Sequence, residues 1–196
     1  MNKIRKVFNK AIAVISKRPV DSDGNIIKIL YHGSSRKVDL LEARENFDSD
    51  LSKKMRGVFA TPNFIYAKDF AINSCLANGM TKFKSGKFYL ENIRKQPSEK
   101  FYIYSVDSAG FVLDKRNEYV RFADTKIIDV QEFDVIKEIE SEGYEIFLMD
   151  EIDQNLSINE KNKIIGEYIK AGKFKRVDIP KIIRASSDNE QAKDDE

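Results

Sequence analysis

The chain has no tryptophan, one cysteine, one histidine and four prolines among its 196 residues. A lone Cys75 excludes an internal disulfide and any cysteine-based metal cluster, and it fits a reducing compartment. With His32 as the only imidazole, a zinc site lacks its usual nitrogen ligands, so no metal is expected. Long apolar runs are missing as well. None approaches the ~20 residues that span a bilayer, and the apolar stretch 11–15 is short of the ~7–15 residues of a secretory signal. No membrane span and a cytoplasmic location are therefore expected. An excess of one charge is also absent: 34 Lys and Arg against 32 Asp and Glu leave a net charge of +2. Nucleic acid is thus possible as a partner but not indicated by net charge.

What is present describes a globular protein of the α+β class. Hydrophobic residues make up 41% and charged residues 34% of the sequence, enough for one sizeable core. Ile4, Val7, Phe8, Ala11 and Ile15 recur at helical spacing with lysines and arginines around them, so residues 1–20 read as a basic amphipathic helix ended by Pro19. Residues 21–150 read as the core, 151–185 as a helical extension, and the polar, acidic 186–196 as a disordered tail.

Within the core, Asp21 to Asn25 is a turn before the β-branched run Ile26 to Tyr31, which stops at His32-Gly33-Ser34. The charged stretch Ser35 to Arg56 reads as a loop with a short helix. Gly57 to Ala60 is a short strand, followed by Thr61-Pro62 as cap and first turn of a helix to about Asn78. Phe64, Ile65, Ala67, Ala71, Ile72, Cys75 and Leu76 form its core stripe. Tyr66 and Phe70, four apart, share an edge where an aromatic ring could line a pocket. Gly79 to Lys100 reads as loop with one strand at Lys87 to Leu90. Closely spaced strands follow at Phe101 to Val106, Phe111 to Leu113, Glu118 to Phe122 and Lys126 to Phe133. Val135 to Glu142 is helical, Tyr144 to Met149 a strand, and Ser157-Ile158-Asn159-Glu160 a capping box opening a helix to about Ala171.

Three pieces carry chemistry in their order: Tyr31-His32-Gly33-Ser34, Gly57-Val58-Phe59-Ala60 with the helix bearing Phe70, and Asn117-Glu118-Tyr119-Val120. Together they resemble the ADP-ribosyltransferase fold, in the branch of poly(ADP-ribose) polymerases and diphtheria-type toxins with a His-Tyr-Glu triad. The resemblance covers roughly residues 26–133 and implies a split β-sheet core with flanking helices. His32-Gly33-Ser34 looks like the family's His-Gly-Ser strand, Phe59 falls where the triad tyrosine usually is, Phe70 where a second aromatic stacks on nicotinamide, and Glu118 at the catalytic glutamate.

The resemblance implies NAD as co-substrate. Gly33 would pair through its main chain with the nicotinamide amide, and His32 would bond the adenine-side ribose. Ser34 is available to a ribose, Phe59 and Phe70 offer stacking surfaces, and Glu118 would accept from the nicotinamide-side ribose and oppose the positive charge that develops as nicotinamide leaves. The expected activity is mono-ADP-ribosyl transfer to an unknown macromolecular or small-molecule acceptor, with NAD glycohydrolysis as a side activity. Phenylalanine at 59 departs from the pattern and removes a hydroxyl, which Tyr66 could restore from the helix.

Other readings stand beside this one. An RNA 2′-phosphotransferase on the same fold would use arginines such as Arg36, Arg56 and Arg121. A non-catalytic NAD-binding or structural protein would keep the fold without turnover. Residue by residue, Glu118 also fits a solvated strand position, Phe59 and Phe70 fit core aromatics, and Ser34 fits a turn.

Overall fold

A computed structural model describes residues 16–48, 53–77, 81–114, 118–149, 156 and 158–183. The amphipathic helix expected before Lys17, the Ser157 cap, Arg116-Asn117, Gly79 and the acidic tail lie outside the described residues. In chain order the elements are β1 (Ile29–Ser34), β2 (Leu40–Leu41), β3 (Arg44–Asp48), β4 (Lys53–Ala60), α1 (Phe64–Leu76), β5 (Thr81–Lys84) and β6 (Lys87–Leu90). They continue with β7 (Lys100–Asp107), β8 (Val112–Leu113), β9 (Tyr119–Arg121), β10 (Thr125–Asp134), α2 (Val135–Glu142), β11 (Glu145–Met149), α3 (Ile158–Ala171) and β12 (Phe174–Val177). This mixture of helix and sheet is of the α+β class. Among the described residues no helix is long and apolar enough to cross a membrane.

The chain divides into two compact units, one within Met1–Gly33, Lys37–Lys68 and Tyr102–Gln131, the other within Ser34–Arg36, Asp69–Phe101 and Glu132–Glu196. In the first, Leu30, Leu41, Ala43, Val58, Ala60, Tyr104, Val106, Phe111 and Tyr119 form one buried cluster. Two sheets supply it, with strand orders β1-β7-β10-β2 and β3-β4-β9-β8. Buried Ser108 ties the loop after β7 to the segment before β1: its N–H donates to the Lys28 carbonyl and its hydroxyl to that of Ile27. In the second unit, the sheet β12-β11-β6-β5 packs Tyr89, Phe147 and Met149 with Ile165 of α3.

Several expectations are corrected here. The charged stretch before Arg56 is a hairpin rather than a loop with a helix, with Arg44 opposite Gly57 and Asn46 opposite Met55. Its strand character comes from backbone pairing and from Arg56, whose Nε donates to the Ala43 carbonyl at 2.8 Å. A second hairpin replaces loop before Lys87: Ser85 and Gly86 both take positive φ, 52° and 74°, between the closing pair Lys84 and Lys87. Two successive left-handed residues form a tight turn whose twist matches the strands it joins. The stretch read as a helical extension also holds β12, which pairs antiparallel with β11.

At the start of α1 the cap is Asn63, not Thr61. Asn63 Oδ1 accepts from the Tyr66 N–H at 3.1 Å, while Thr61 Oγ1 accepts from Asn63 N–H at 3.2 Å. An amide oxygen three residues before the donor is the geometry that satisfies a first-turn N–H. Ala67, Ala71, Ile72, Cys75 and Leu76 are buried as the helical spacing requires, but Ile65 is exposed and leaves the stripe.

Candidate active site

The site is built around the end of β4. β4 pairs with β9, setting Val58 opposite Arg121, Phe59 opposite Val120 and Ala60 opposite Tyr119. The approach is close at Gly57, where a Cβ would meet Val120 Cγ2 at 2.6 Å. Beyond β4, Thr61 forms an isolated antiparallel bridge with Tyr31 of β1: Tyr31 N–H donates to the Thr61 carbonyl at 2.7 Å and Thr61 N–H returns the bond at 2.9 Å. One short segment, 59–61, thus holds both the strand of His32 and the strand that Glu118 precedes.

His32 is fixed by its ring. Nδ1 lies 2.7 Å from the Phe59 carbonyl oxygen. A carbonyl only accepts, so Nδ1 carries the proton and Nε2 of the neutral ring is left as an acceptor. Burial pushes the His32 pKa down, opposed by the bond to Phe59, so the neutral form is favoured. Tyr31 and Gly33 are two apart in an extended strand and present their main-chain groups to the same side. Because the bridge at Tyr31 is isolated, the ladder with 59–61 does not extend to Gly33.

Glu118 sits one residue before β9, half-buried. Its N–H donates to Asp114 Oδ1 at 3.0 Å, and its carbonyl accepts from the Asp114 N–H at 2.8 Å. The carboxylate is met from α1: the Tyr66 hydroxyl donates to Glu118 Oε1 at 3.2 Å. A side-chain hydroxyl therefore does reach the glutamate, from the helix rather than from position 59.

The remaining expected residues are placed differently. Phe59 is half-buried and takes part through its carbonyl. Ser34 Oγ accepts from the Arg36 N–H at 3.1 Å and so closes the turn after β1. Phe70, one turn beyond Tyr66 on α1, is 54% exposed, belongs to the second unit and is not among the residues these bonds join. Two of the candidate arginines are bound to main chain, Arg56 to the Ala43 carbonyl and Arg121 to that of Ala109. Cys75 is buried and burial pushes its thiol up to about 12, which removes it as a nucleophile. Among the described residues no group of three His, Cys, Asp or Glu could hold a metal ion.

Asp114, and the role of Thr61 as the bridge to Tyr31 rather than as a helix cap, were not evident in the sequence. Asp114 opens a run of turn residues before β9, and an aspartate there commonly accepts from a nearby N–H; that was the available signal. A cavity of about 590 Å³ in the second unit, with Tyr144, Glu145 and Arg176 in its wall, contains none of the expected site residues.

No family model, no curated protein and no solved structure matches the chain.

Proposed function

We propose that the chain is an NAD-dependent mono-ADP-ribosyltransferase acting at the end of β4. The reading is carried by one observation: segment 59–61 joins His32, through the Phe59 carbonyl, to the strand behind Glu118, whose carboxylate is held by Tyr66. NAD supplies a glycosidic bond that releases nicotinamide as positive charge grows on the ribose, and the ribose carbon passes to an acceptor nucleophile. The chain's own groups fit that demand. His32 Nε2, left as an acceptor, takes a ribose hydroxyl. The Gly33 main chain, beyond the isolated bridge, pairs with a carboxamide. Glu118 accepts from a ribose hydroxyl and opposes the developing positive charge, and Tyr66 holds its Oε1 in place.

Nicotinamide release is measured for wild type and Glu118→Gln, with and without a cell lysate. Release that depends on Glu118 supports the transferase, and stimulation by lysate shows that the lysate contains an acceptor, macromolecular or small. Release by neither protein, with NAD binding seen in calorimetry, moves the reading to a non-catalytic NAD-binding protein. Turnover of a 2′-phosphorylated RNA that persists in Glu118→Gln replaces it with the phosphotransferase.

A further inference from the structure

The sheet face that carries His32 continues past it. β1 and β7 are neighbours, and along each strand alternate side chains share a face. Leu30 of β1 with Tyr104 and Val106 of β7 belongs to the buried cluster of the first unit, and Tyr102 packs against that cluster from its margin. His32 is two residues on from Leu30, with its ring centroid 6.3 Å from that of Tyr104, and the Tyr104 and Tyr102 rings stack at 6.3 Å. Leu30, Tyr104 and Val106 are fully buried, whereas His32 and Tyr102 are half-buried, so the core opens at these two rings. A charge meets the outer ring: Lys37 Nζ lies 6.0 Å from the Tyr102 centroid. Lys37 is exposed, and the Val38 N–H that follows it donates to the Tyr104 hydroxyl at 2.8 Å, which holds this segment against β7.

We propose that the Tyr102 ring takes the adenine of NAD, with the Lys37 ammonium serving the diphosphate. The inference rests on the transferase reading above, in which His32 bonds the adenine-side ribose. A base is bonded directly to its ribose, and Tyr102 stands one alternate position, about 7 Å along the strand, beyond the ring that neighbours His32. A half-buried aromatic at the margin of a core is held from behind and still offers a face, which is what base stacking requires. The neighbour on that ring is an exposed, flexible lysine rather than a core side chain. A base therefore displaces an ammonium and disturbs no packing. The displaced ammonium is then available to the diphosphate, which lysine binds as a point charge. The nicotinamide half, assigned to Gly33 and Glu118, does not use Tyr102.

The test is calorimetric titration of the full chain with ADP-ribose, which keeps the adenine, and with nicotinamide mononucleotide, which lacks it. Tyr102→Leu is expected to weaken ADP-ribose by roughly ten- to hundredfold, the loss of one base stack, and to leave nicotinamide mononucleotide unchanged. Tyr102→Phe keeps the ring and binds ADP-ribose like wild type. An etheno-adenine analogue of ADP-ribose reports the stack itself: its fluorescence is quenched on wild type and Tyr102→Phe. Lys37→Ala, at an exposed residue that leaves the core intact, weakens ADP-ribose several-fold. Equal ADP-ribose affinity in Tyr102→Leu and wild type overturns the proposal. So does a bound analogue that is not quenched, a loss of nicotinamide mononucleotide binding in Tyr102→Leu, or no ADP-ribose binding by wild type. Where Tyr102→Leu does not fold, wild-type quenching and the Lys37→Ala affinity decide. Any of these failures beside Glu118-dependent nicotinamide release removes this subsite alone, whereas ADP-ribose binding through Tyr102 without nicotinamide release removes the transferase and keeps the nucleotide site.

Discussion

The Tyr66 hydroxyl and the Glu118 carboxylate are joined at 3.2 Å, 52 residues apart in the chain. Tyr66 stands in the first turn of α1 with its own N–H capped by Asn63, and Glu118 is pinned at N–H and carbonyl by Asp114. Both partners are thus held by their backbones before their side chains meet, which is how a carboxylate is kept oriented without burying it.

Tyr66→Phe is expected to separate activity from stability. The bond is at the surface, so its loss changes folding stability by less than ~0.5 kcal/mol. A hydrogen bond of ~0.5–1.5 kcal/mol corresponds to roughly two- to tenfold in nicotinamide release, against ~10²–10³ for Glu118→Gln. Both variants are compared by initial rates and urea midpoints. Equal rates for Tyr66→Phe and wild type would remove Tyr66 from the site.

Gly57→Ala is expected to destabilise the fold by ~1–3 kcal/mol, the usual cost of overpacking. The added methyl would come within 2.6 Å of Val120 Cγ2 and 3.2 Å of the Arg121 carbonyl oxygen. Val120 is β-branched and has little rotamer freedom with which to move aside. The urea midpoint should fall with an unchanged slope, and a midpoint equal to wild type would show that β4 and β9 can part without cost.

What the sequence disclosed follows from where the information lies. The strand at His32, the helix over Val135–Glu142 and the helix from Phe64 were legible because periodicity and β-branching are local properties. The hairpin of β3 and β4 was not, because Arg44 to Asp48 shows no apolar alternation and becomes a strand only by pairing with its neighbour. The two-residue turn Ser85-Gly86 carries a local signal for its hairpin, a Ser-Gly pair between two short strands. At the site, His32 and Glu118 could be named from motif order. The tautomer of His32 depends on a carbonyl 27 residues away, and the hydroxyl on Glu118 comes from α1. Such contacts exist only once the strands are placed.

His32 makes stability pH-dependent in a stated direction. Burial, opposed by the Phe59 carbonyl, sets its folded pKa below the ordinary histidine value of about 6.5. The unfolded chain therefore takes up a proton first as pH falls. His32's contribution is fully present above about pH 6.5, declines as pH drops from there toward the folded pKa, and levels off below it. Since the chain has one histidine, a single imidazole NMR titration reads the folded value directly. A midpoint at or above about 6.5 contradicts the burial of this ring.

The Arg18–Asp107 pair acts at lower pH and with a comparable sign. Arg18 Nη2 reaches Asp107 Oδ2 at 2.5 Å and Nε reaches Oδ1 at 3.3 Å, and the Ala109 N–H also donates to Oδ1 at 2.8 Å. The bond from Arg18, then that from Ala109, hold the Asp107 carboxyl below the usual aspartate range. Its stabilisation is complete above the unfolded value of about 3.9 and is lost as pH falls through the lower folded one. The side chains are 30% and 45% exposed, so solvent screening limits the pair to ~0.2–1 kcal/mol. Arg18→Ala should lower stability by that amount at neutral pH, and the difference from wild type should shrink as the carboxyl is protonated. It should not abolish the acid dependence, because Ala109 and the nearby Arg121 charge still favour the ionised carboxylate. Melting curves from neutral pH into the acid range measure this, and a gap that stays constant as pH falls would mean that Arg18 stabilises through its packing rather than its charge.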